Sequence, residues 1–270
     1  MAQMKTPGVY IIEKNAFPNS VVEVATAIPA FIGHTQFARD GNKDLTGIPF
    51  RISSMAEFHS FFGFAPTLRF GIRPENSESE DTTNDINVLF PDGSCQLTLP
   101  KTFYALYYNM LLFYANGGGP CYIVSVGDYE HDFKSIDFTN ALLALKKEQE
   151  PTLVVVPEAV YMEEGDCYKV QTAALMHCGN DMKNRFAILD VFNGYKDENG
   201  AVIKSFRENI GSNFLAYCAS YYPWINTSIV TEKDITFYNI EKDSLEKLEE
   251  LILNEFSKKS GVTNEAVNEL

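Results

Sequence analysis

Apolar runs alternate with helix-like segments along most of the chain after residue 102, and this alternation restricts the fold more than any other feature. The runs are rich in Val, Ile, Leu and aromatic residues and are predicted to be strands: 27–33, 121–126, 152–157, 185–191 and 213–221. The predicted helices are 102–116, 138–148, 166–182 and about 201–210. Strands that are apolar on both faces are typical of parallel sheets covered by helices on both sides. The sequence therefore predicts an α/β fold with a mostly parallel sheet flanked by helices.

Three segments stand apart from this core, which is predicted to span residues 20–225. Residues 1–19 are predicted to form an extended N-terminal strand arm and its linker. Residues from about 64 to 101 contain an acidic stretch and an Asp92-Gly93 turn, which favours an exposed β-hairpin insertion. Residues 226–270 are predicted to form a linker and an amphipathic helix over about 242–258. This last segment is expected to lead toward a C-terminal domain that is not present in this chain.

The arm contains a short strand that has no partner nearby in the sequence. Its five residues are Val9, Tyr10, Ile11, Ile12 and Glu13. The turn-like residues 14–20 follow it, and an extended linker of this length spans at most about 25 Å. A lone apolar strand exposes unpaired N–H and C=O groups as well as apolar side chains to water. Pairing with the sheet edge of a neighbouring subunit satisfies both, so we predict that the arm links subunits by β-augmentation.

The charge balance excludes several classes of partner. Asp and Glu number 36 against 22 Lys and Arg, so the net charge is −14. Such a chain repels nucleic-acid phosphates and anionic membrane surfaces, whereas it suits a basic protein partner. The most apolar stretch, Phe103–Ala115, is shorter than the ~20 residues of a membrane-spanning helix. We therefore predict no nucleic-acid binding and no direct membrane insertion.

Neither the cysteines nor the glycine run predicts a cofactor or metal site. The five cysteines, Cys95, Cys121, Cys167, Cys178 and Cys218, lack the paired spacings of a zinc site, and free buried thiols are expected. The run Asn116–Pro120 follows a predicted helix and precedes a strand. A phosphate loop needs the opposite order, in which the glycines precede a helix N-terminus. A helix C-cap and tight turn are therefore predicted here.

The candidate catalytic side chains also lack partners in the sequence. His34 and Asp190 each lie at a strand end, where active sites of α/β folds occur, but no second group accompanies either. His177 and Cys178 are neighbours on a predicted helix, so their side chains point about 100° apart and do not form a dyad. We predict no catalytic residue, no cofactor and no metal. A small α/β enzyme or nucleotide-binding module is the alternative interpretation.

Six motifs, in the same order, resemble the sheath proteins of contractile phage tails and contractile injection systems. They are KTPGVYIIE (5–13), TAIPAFIG (26–33), ISSMAEF (52–58), FYANGGG (113–119), RFAILD (185–190) and YCASYYPW (217–224). Together they extend over residues 5–224. The family's larger C-terminal domain, which follows the last motif, has no counterpart in this chain. The match thus covers the N-terminal portion of a sheath protein.

This resemblance implies a structural role. Sheath subunits form stacked hexameric rings around an inner tube and contract to drive the tube through a target envelope. The implied partners are further copies of the chain, the inner tube protein, and baseplate and cap proteins. Assembly is expected in the bacterial cytoplasm, as part of a phage tail or a phage-tail-like particle. A cap or baseplate-proximal paralogue of the sheath is a second interpretation within the same family.

Overall fold

The computed structural model describes residues 27–74, 88–89, 95–98, 102–196 and 200–260. The strands there are β1 (Pro29–Gly33), β2 (Arg39–Asp40), β3 (Lys43–Asp44), β4 (Phe50–Ile52), β5 (Gly71–Pro74), β6 (Val88–Leu89), β7 (Cys95–Thr98), β8 (Cys121–Ser125), β9 (Leu153–Val155), β10 (Phe186–Asp190) and β11 (Cys218–Tyr221). The α-helices are α1 (Met55–Phe62), α2 (Leu106–Ala115), α3 (Ser135–Leu145), α4 (Glu164–Met176), α5 (Ala201–Ile210) and α6 (Lys242–Ser260). The predicted arm and its linker, residues 1–19, lie outside these described ranges.

Six strands form the central sheet in the order β11-β10-β9-β1-β8-β4. The first five run parallel, and β4 is antiparallel to β8 at one edge. In register, Phe31 pairs with Ile123 on one side and with Val155 on the other. The predicted α/β class, with a mostly parallel sheet flanked by helices, is confirmed. The register also places equivalent positions of adjacent strands on the same face.

Side chains from both faces of the sheet are buried, which explains why the strands are almost continuously apolar. In β1, Ala30 and Ile32 face the larger core, together with residues of α3, α4 and α5. Phe31 faces the opposite side, where it joins residues of α1 and α2 in a second core. All five residues of β1 are buried. A strand in the middle of a two-faced sheet has no solvent side, so polar residues have no favourable position in it.

Helix α1 begins with a variant of the capping box, in which two side chains bind backbone N–H groups at a helix start. The Ser54 hydroxyl accepts a hydrogen bond from the Glu57 N–H at 3.2 Å. The Glu57 carboxylate accepts from the N–H of Ser53 at 2.7 Å, one residue before the N-cap Ser54 that a standard capping box uses. Ser53 directly follows β4, so this bond also joins the end of the strand to the start of the helix.

Two predicted elements are shorter in the structure. The strand predicted at 213–221 is limited to β11, because Phe214 has a φ of 59° and a 3-10 turn covers Leu215–Tyr217. The helix predicted at 166–182 ends as an α-helix at Met176. It continues as a π-helical turn, His177–Met182, and stops at Lys183 with a φ of 61°. In both places the left-handed backbone of a non-glycine residue changes the chain direction, and the sequence pattern gives no sign of it.

The segment predicted as an insertion contributes a separate antiparallel sheet in the order β5-β7-β6. The turn between β6 and β7 and the acidic stretch lie outside the described residues, so the hairpin and its exposure stay predictions. The first turn of α6 binds β5, where the Ile72 N–H donates to the Ser244 hydroxyl at 2.9 Å. The segment before α6 binds the residue before β5, where the Phe70 N–H donates to the Asn239 carbonyl at 2.7 Å. Over the ranges given above, no helix has both the length and the apolar character needed to cross a bilayer.

Candidate functional site

The carboxyl ends of the parallel strands meet at one edge of the sheet, where ligands bind in α/β proteins. From β1 the chain moves to β8 on one side, and then returns to β9 on the other side of β1. This reversal makes the crevice between β1 and β9 the topological switch point. His34 directly follows β1, and Glu158 lies three residues beyond the end of β9. These two polar residues at the crevice are therefore candidates for a functional site.

His34 and Glu158 fill this crevice and bind each other. The His34 Nδ1 lies 2.8 Å from Glu158 Oε2, and the same oxygen accepts the His34 backbone N–H at 2.9 Å. The other carboxyl oxygen accepts the backbone N–H of Leu106, at the start of α2, at 3.3 Å. The two side chains are only 1% and 0% exposed. One carboxyl group thus joins β1, the segment after β9 and α2.

The surroundings of this pair leave little room for a substrate. The rings of Tyr104, Phe133 and Phe138 lie within 5.7 Å of the His34 ring, centroid to centroid. A Cβ atom at Gly33 would lie 2.9 Å from Leu106 Cβ, so only glycine permits this approach of β1 to α2. Burial raises the pKa of Glu158, while its bonds to His34 and Leu106 act in the opposite direction. The arrangement is suited to holding elements together, because both Glu158 carboxyl oxygens and the His34 Nδ1 are already occupied.

Asp190 ends the neighbouring strand β10 and has a different environment. Its side chain lines an open groove of about 690 Å³ together with residues after β11. Burial raises the pKa of Asp190. Within the described part of the chain, its carboxylate has no hydrogen-bond or ion-pair partner, although its backbone carbonyl accepts from the Gln171 amide at 2.7 Å. Of the polar groups singled out by the sequence, this one is open to a ligand.

His177 and Cys178 are both buried and do not form a reactive pair. The His177 Nε2 accepts a hydrogen bond from the Arg185 guanidinium at 2.8 Å. Burial, together with the charge of Arg185, lowers the pKa of His177 to about 4. Burial also raises the pKa of the Cys178 thiol to about 12, so a thiolate is strongly disfavoured. These two residues hold the π-helical turn in place.

Arg185 and Glu158 are the two central polar residues that the sequence reasoning missed. The Arg185 guanidinium donates to the carbonyl of Leu145 at 3.0 Å and to that of Glu148, so it caps the end of α3. Glu158 follows the apolar run 152–157 directly, as the first charged residue beyond it. Its position at the end of a predicted strand could have identified Glu158 as a candidate site residue. Arg185 begins the next apolar run, and a charged residue at the start of a predicted strand gives no sign of a structural role.

The glycine run has the structural role that the sequence predicts. Asn116 caps α2, and Gly117 follows with a φ of 82°, in the left-handed region that favours glycine. The Gly118 N–H donates to the Phe113 carbonyl at 2.9 Å, which closes the helix end before β8 begins. Over the described ranges, no group of three or more His, Cys, Asp or Glu side chains is arranged to hold a metal.

Among the described strands, the sheet ends in β11 and β4. The predicted arm strand, Val9, Tyr10, Ile11, Ile12 and Glu13, lies outside the described residues. In the part of the chain that the structure describes, no strand pairs with the outer side of β11 or of β4. Large apolar side chains are exposed around β11: Leu215 is 45%, Tyr221 68% and Ile225 80% exposed. The β11 edge therefore offers exposed apolar surface on which an added strand can pair.

Comparison with known proteins assigns the chain to no family. No family model matches it, and no match was found among curated proteins. A functional assignment therefore rests on the residues and the geometry described above.

Proposed function

We propose that the chain is a structural subunit of a contractile sheath. It polymerises through its N-terminal arm as stacked hexameric rings around an inner tube, and contraction of the polymer drives the tube through a target envelope. The observation that carries this proposal is the apolar edge of β11, on whose outer side no described strand pairs, in a chain whose sequence predicts an unpaired apolar strand at its N-terminus. The six sheath-like motifs give the proposal its family.

An apolar sheet edge favours strand addition for a simple physical reason. The outer N–H and C=O groups of an edge strand can template another chain, and natural proteins that avoid this place Lys or Pro on the edge. The residues of β11 are Cys218, Ala219, Ser220 and Tyr221, with neither Lys nor Pro among them. A strand such as Val9–Glu13 from a neighbouring subunit satisfies these groups and covers exposed apolar surface. Repetition of this link around each ring adds avidity to a modest single contact.

The closed crevice at the switch point is consistent with a structural role. His34 and Glu158 use their polar atoms on each other and on α2, which stiffens the subunit as a rigid body. A sheath of rigid subunits joined by flexible arms can exchange one set of interfaces for another, and the free energy comes from greater burial between subunits. The proposed partners are further copies of the chain, the inner tube protein, and baseplate and cap proteins. We place assembly in the bacterial cytoplasm, as part of a phage tail or an injection particle.

The proposal is tested by removing the arm and by charging the edge of β11. Sedimentation velocity and negative-stain microscopy are applied to the 270-residue chain, to a variant lacking residues 1–13, to Ile11→Pro and to Ser220→Lys. We expect rings or tubes from the unmodified chain only. Each variant is expected to keep the native circular dichroism spectrum, because proline in the arm strand and lysine on an exposed edge position act on pairing alone.

Two matched controls separate pairing from general effects. Lys14→Pro places proline in the turn-like linker, and Ser212→Lys places the same charge on an exposed residue before β11. Both are expected to assemble normally. Assembly of the variant that lacks residues 1–13 contradicts the arm linkage. An unmodified chain that stays a monodisperse monomer and binds a nucleotide supports the enzyme or nucleotide-binding alternative. Single rings that never stack support the cap or baseplate-proximal paralogue.

A further inference from the structure

Asp190 is the one charged residue among the described residues that line its groove. The lining of the groove includes Pro157, Asp190 and Tyr221, near the carboxyl ends of β9, β10 and β11. Other lining residues belong to α2 and the residues before it, and to the segment that follows β11. Among the described residues that line the groove, none is a lysine, an arginine or a histidine. The charge of Asp190 is therefore not neutralised from within the groove.

Aromatic rings form a connected row along this groove. The Phe103 ring is 5.6 Å from Tyr108 and 4.9 Å from Tyr161, and Tyr161 is 6.0 Å from Trp224. Trp224 is fixed by its indole N–H, which donates to the Val191 carbonyl at 3.0 Å. Burial raises the pKa of Tyr161 to about 12, and the nearby charge of Asp190 adds to this effect. Asp190 and Tyr161 both line the groove, so the carboxylate and this aromatic surface border the same space.

We propose that this groove binds the guanidinium group of an arginine side chain carried by a partner protein. A guanidinium is planar and delocalised, so it can pair with a carboxylate through two parallel N–H donors while its face stacks on an aromatic ring. It is also more weakly hydrated than an ammonium group, which favours arginine over lysine in a half-buried position. The faces of Tyr and Trp rings attract a cation.

The rest of the groove indicates what surrounds that arginine in the partner. Apart from Asp190, its lining is aromatic, aliphatic or uncharged polar, and Ile225 is 80% exposed beside it. Apolar residues on either side of the arginine fit such a surface. The net charge of −14 attracts a basic segment over longer range and disfavours an acidic one. This inference uses the groove alone and does not depend on the proposed sheath function.

Trp224 makes the test direct, because it is the only tryptophan in the sequence and lines the groove. The purified chain is titrated with a capped Leu-Arg-Leu peptide while tryptophan emission is recorded. The same titration is repeated with citrulline in place of arginine, which keeps the shape and removes the charge, and with lysine. We expect saturable binding of the arginine peptide. The affinity for the citrulline peptide should be lower by about tenfold or more, because hydrogen bonds between charged groups are stronger than those to a neutral donor.

The carboxylate is tested by Asp190→Asn, with Asp40→Asn as the matched control on an exposed position of β2. We expect Asp190→Asn to weaken the arginine peptide about tenfold or more and to leave the citrulline peptide within twofold. Asp40→Asn is expected to change neither affinity. Equal affinity of the unmodified chain for the arginine and citrulline peptides overturns the proposal without any variant. Lysine binding as tight as arginine binding overturns the assignment to a guanidinium.

Discussion

Acidification is expected to destabilise the protein through His177, and the size of the effect follows from its surroundings. His177 is 1% exposed, and its Nε2 accepts a hydrogen bond from Arg185. Protonation would remove that acceptor and place a second positive charge beside the guanidinium. The pKa of His177 is therefore lowered from 6.5 to about 4. Between these two values the unfolded chain binds a proton at this site and the folded chain does not, so stability is lost as the pH falls through this window.

The magnitude can be worked out for two accessible conditions. With pKa values of 6.5 unfolded and about 4 folded, protonation of the unfolded state lowers stability by about 2 kcal/mol at pH 5 and by only a small fraction of that at pH 7. The expected loss from this single site between the two pH values is therefore about 2 kcal/mol. Other titrating groups add their own contributions, which have to be removed by comparison with a variant.

The assay is urea unfolding at pH 7 and pH 5, followed by tryptophan emission, for the unmodified chain and for His177→Gln. The Gln amide oxygen can accept the same Arg185 hydrogen bond but does not titrate. We expect His177→Gln to lose about 2 kcal/mol less between the two pH values than the unmodified chain does. His131→Gln is the control, since His131 is 63% exposed, and should behave like the unmodified chain. An equal acid loss in His177→Gln and the unmodified chain would refute the reasoning.

Two further predictions concern the crevice at the switch point. Glu158→Gln should lower the free energy of unfolding by about 1–3 kcal/mol, because each carboxyl oxygen accepts a backbone N–H and the amide would replace one of these acceptors with a donor. Urea unfolding at pH 7 measures this loss, and an unchanged unfolding midpoint would contradict the hydrogen-bond geometry. Gly33→Ala should cost about 1–3 kcal/mol, since its Cβ would meet Leu106 Cβ at 2.9 Å, and Gly119→Ala, where a Cβ has open space, is the comparison that should cost less.

The features of the fold that depend on local sequence could be predicted. The strands of the parallel sheet are buried on both faces, so each is a continuous apolar run that stands out without knowledge of its neighbours. The end of α2 was equally visible, because a glycine run after a helix has a local backbone reason. The irregular backbone before β11, within the strand predicted at 213–221, could not be predicted in this way. Phe214 adopts a left-handed conformation and packs against Gly179, where a Cβ would lie 2.5 Å from the Phe214 Cβ.

The polar interactions of the site depend on topology instead. His34 was noticed at its strand end, but its partner Glu158 is 124 residues away, and only the arrangement of β1 beside β9 brings them together. Arg185 likewise acts on the carbonyl of Leu145, 40 residues earlier. No spacing rule along the chain connects such pairs. The sequence could therefore supply candidates for this edge of the sheet but not their partners.

Two carboxyl groups follow neighbouring strands at this edge, and the difference between them determines which part of it is open to a partner. Burial raises the pKa of both Glu158 and Asp190. Three hydrogen bonds offset the cost of burying Glu158, whereas Asp190 has no such bonds within the described part of the chain. A half-buried carboxylate without a donor makes the folded chain less stable than it would be with one. A cation that reaches Asp190 removes this penalty and gains the attraction of the rings beside it, so the strongest binding is expected where the fold itself leaves a charge unsatisfied.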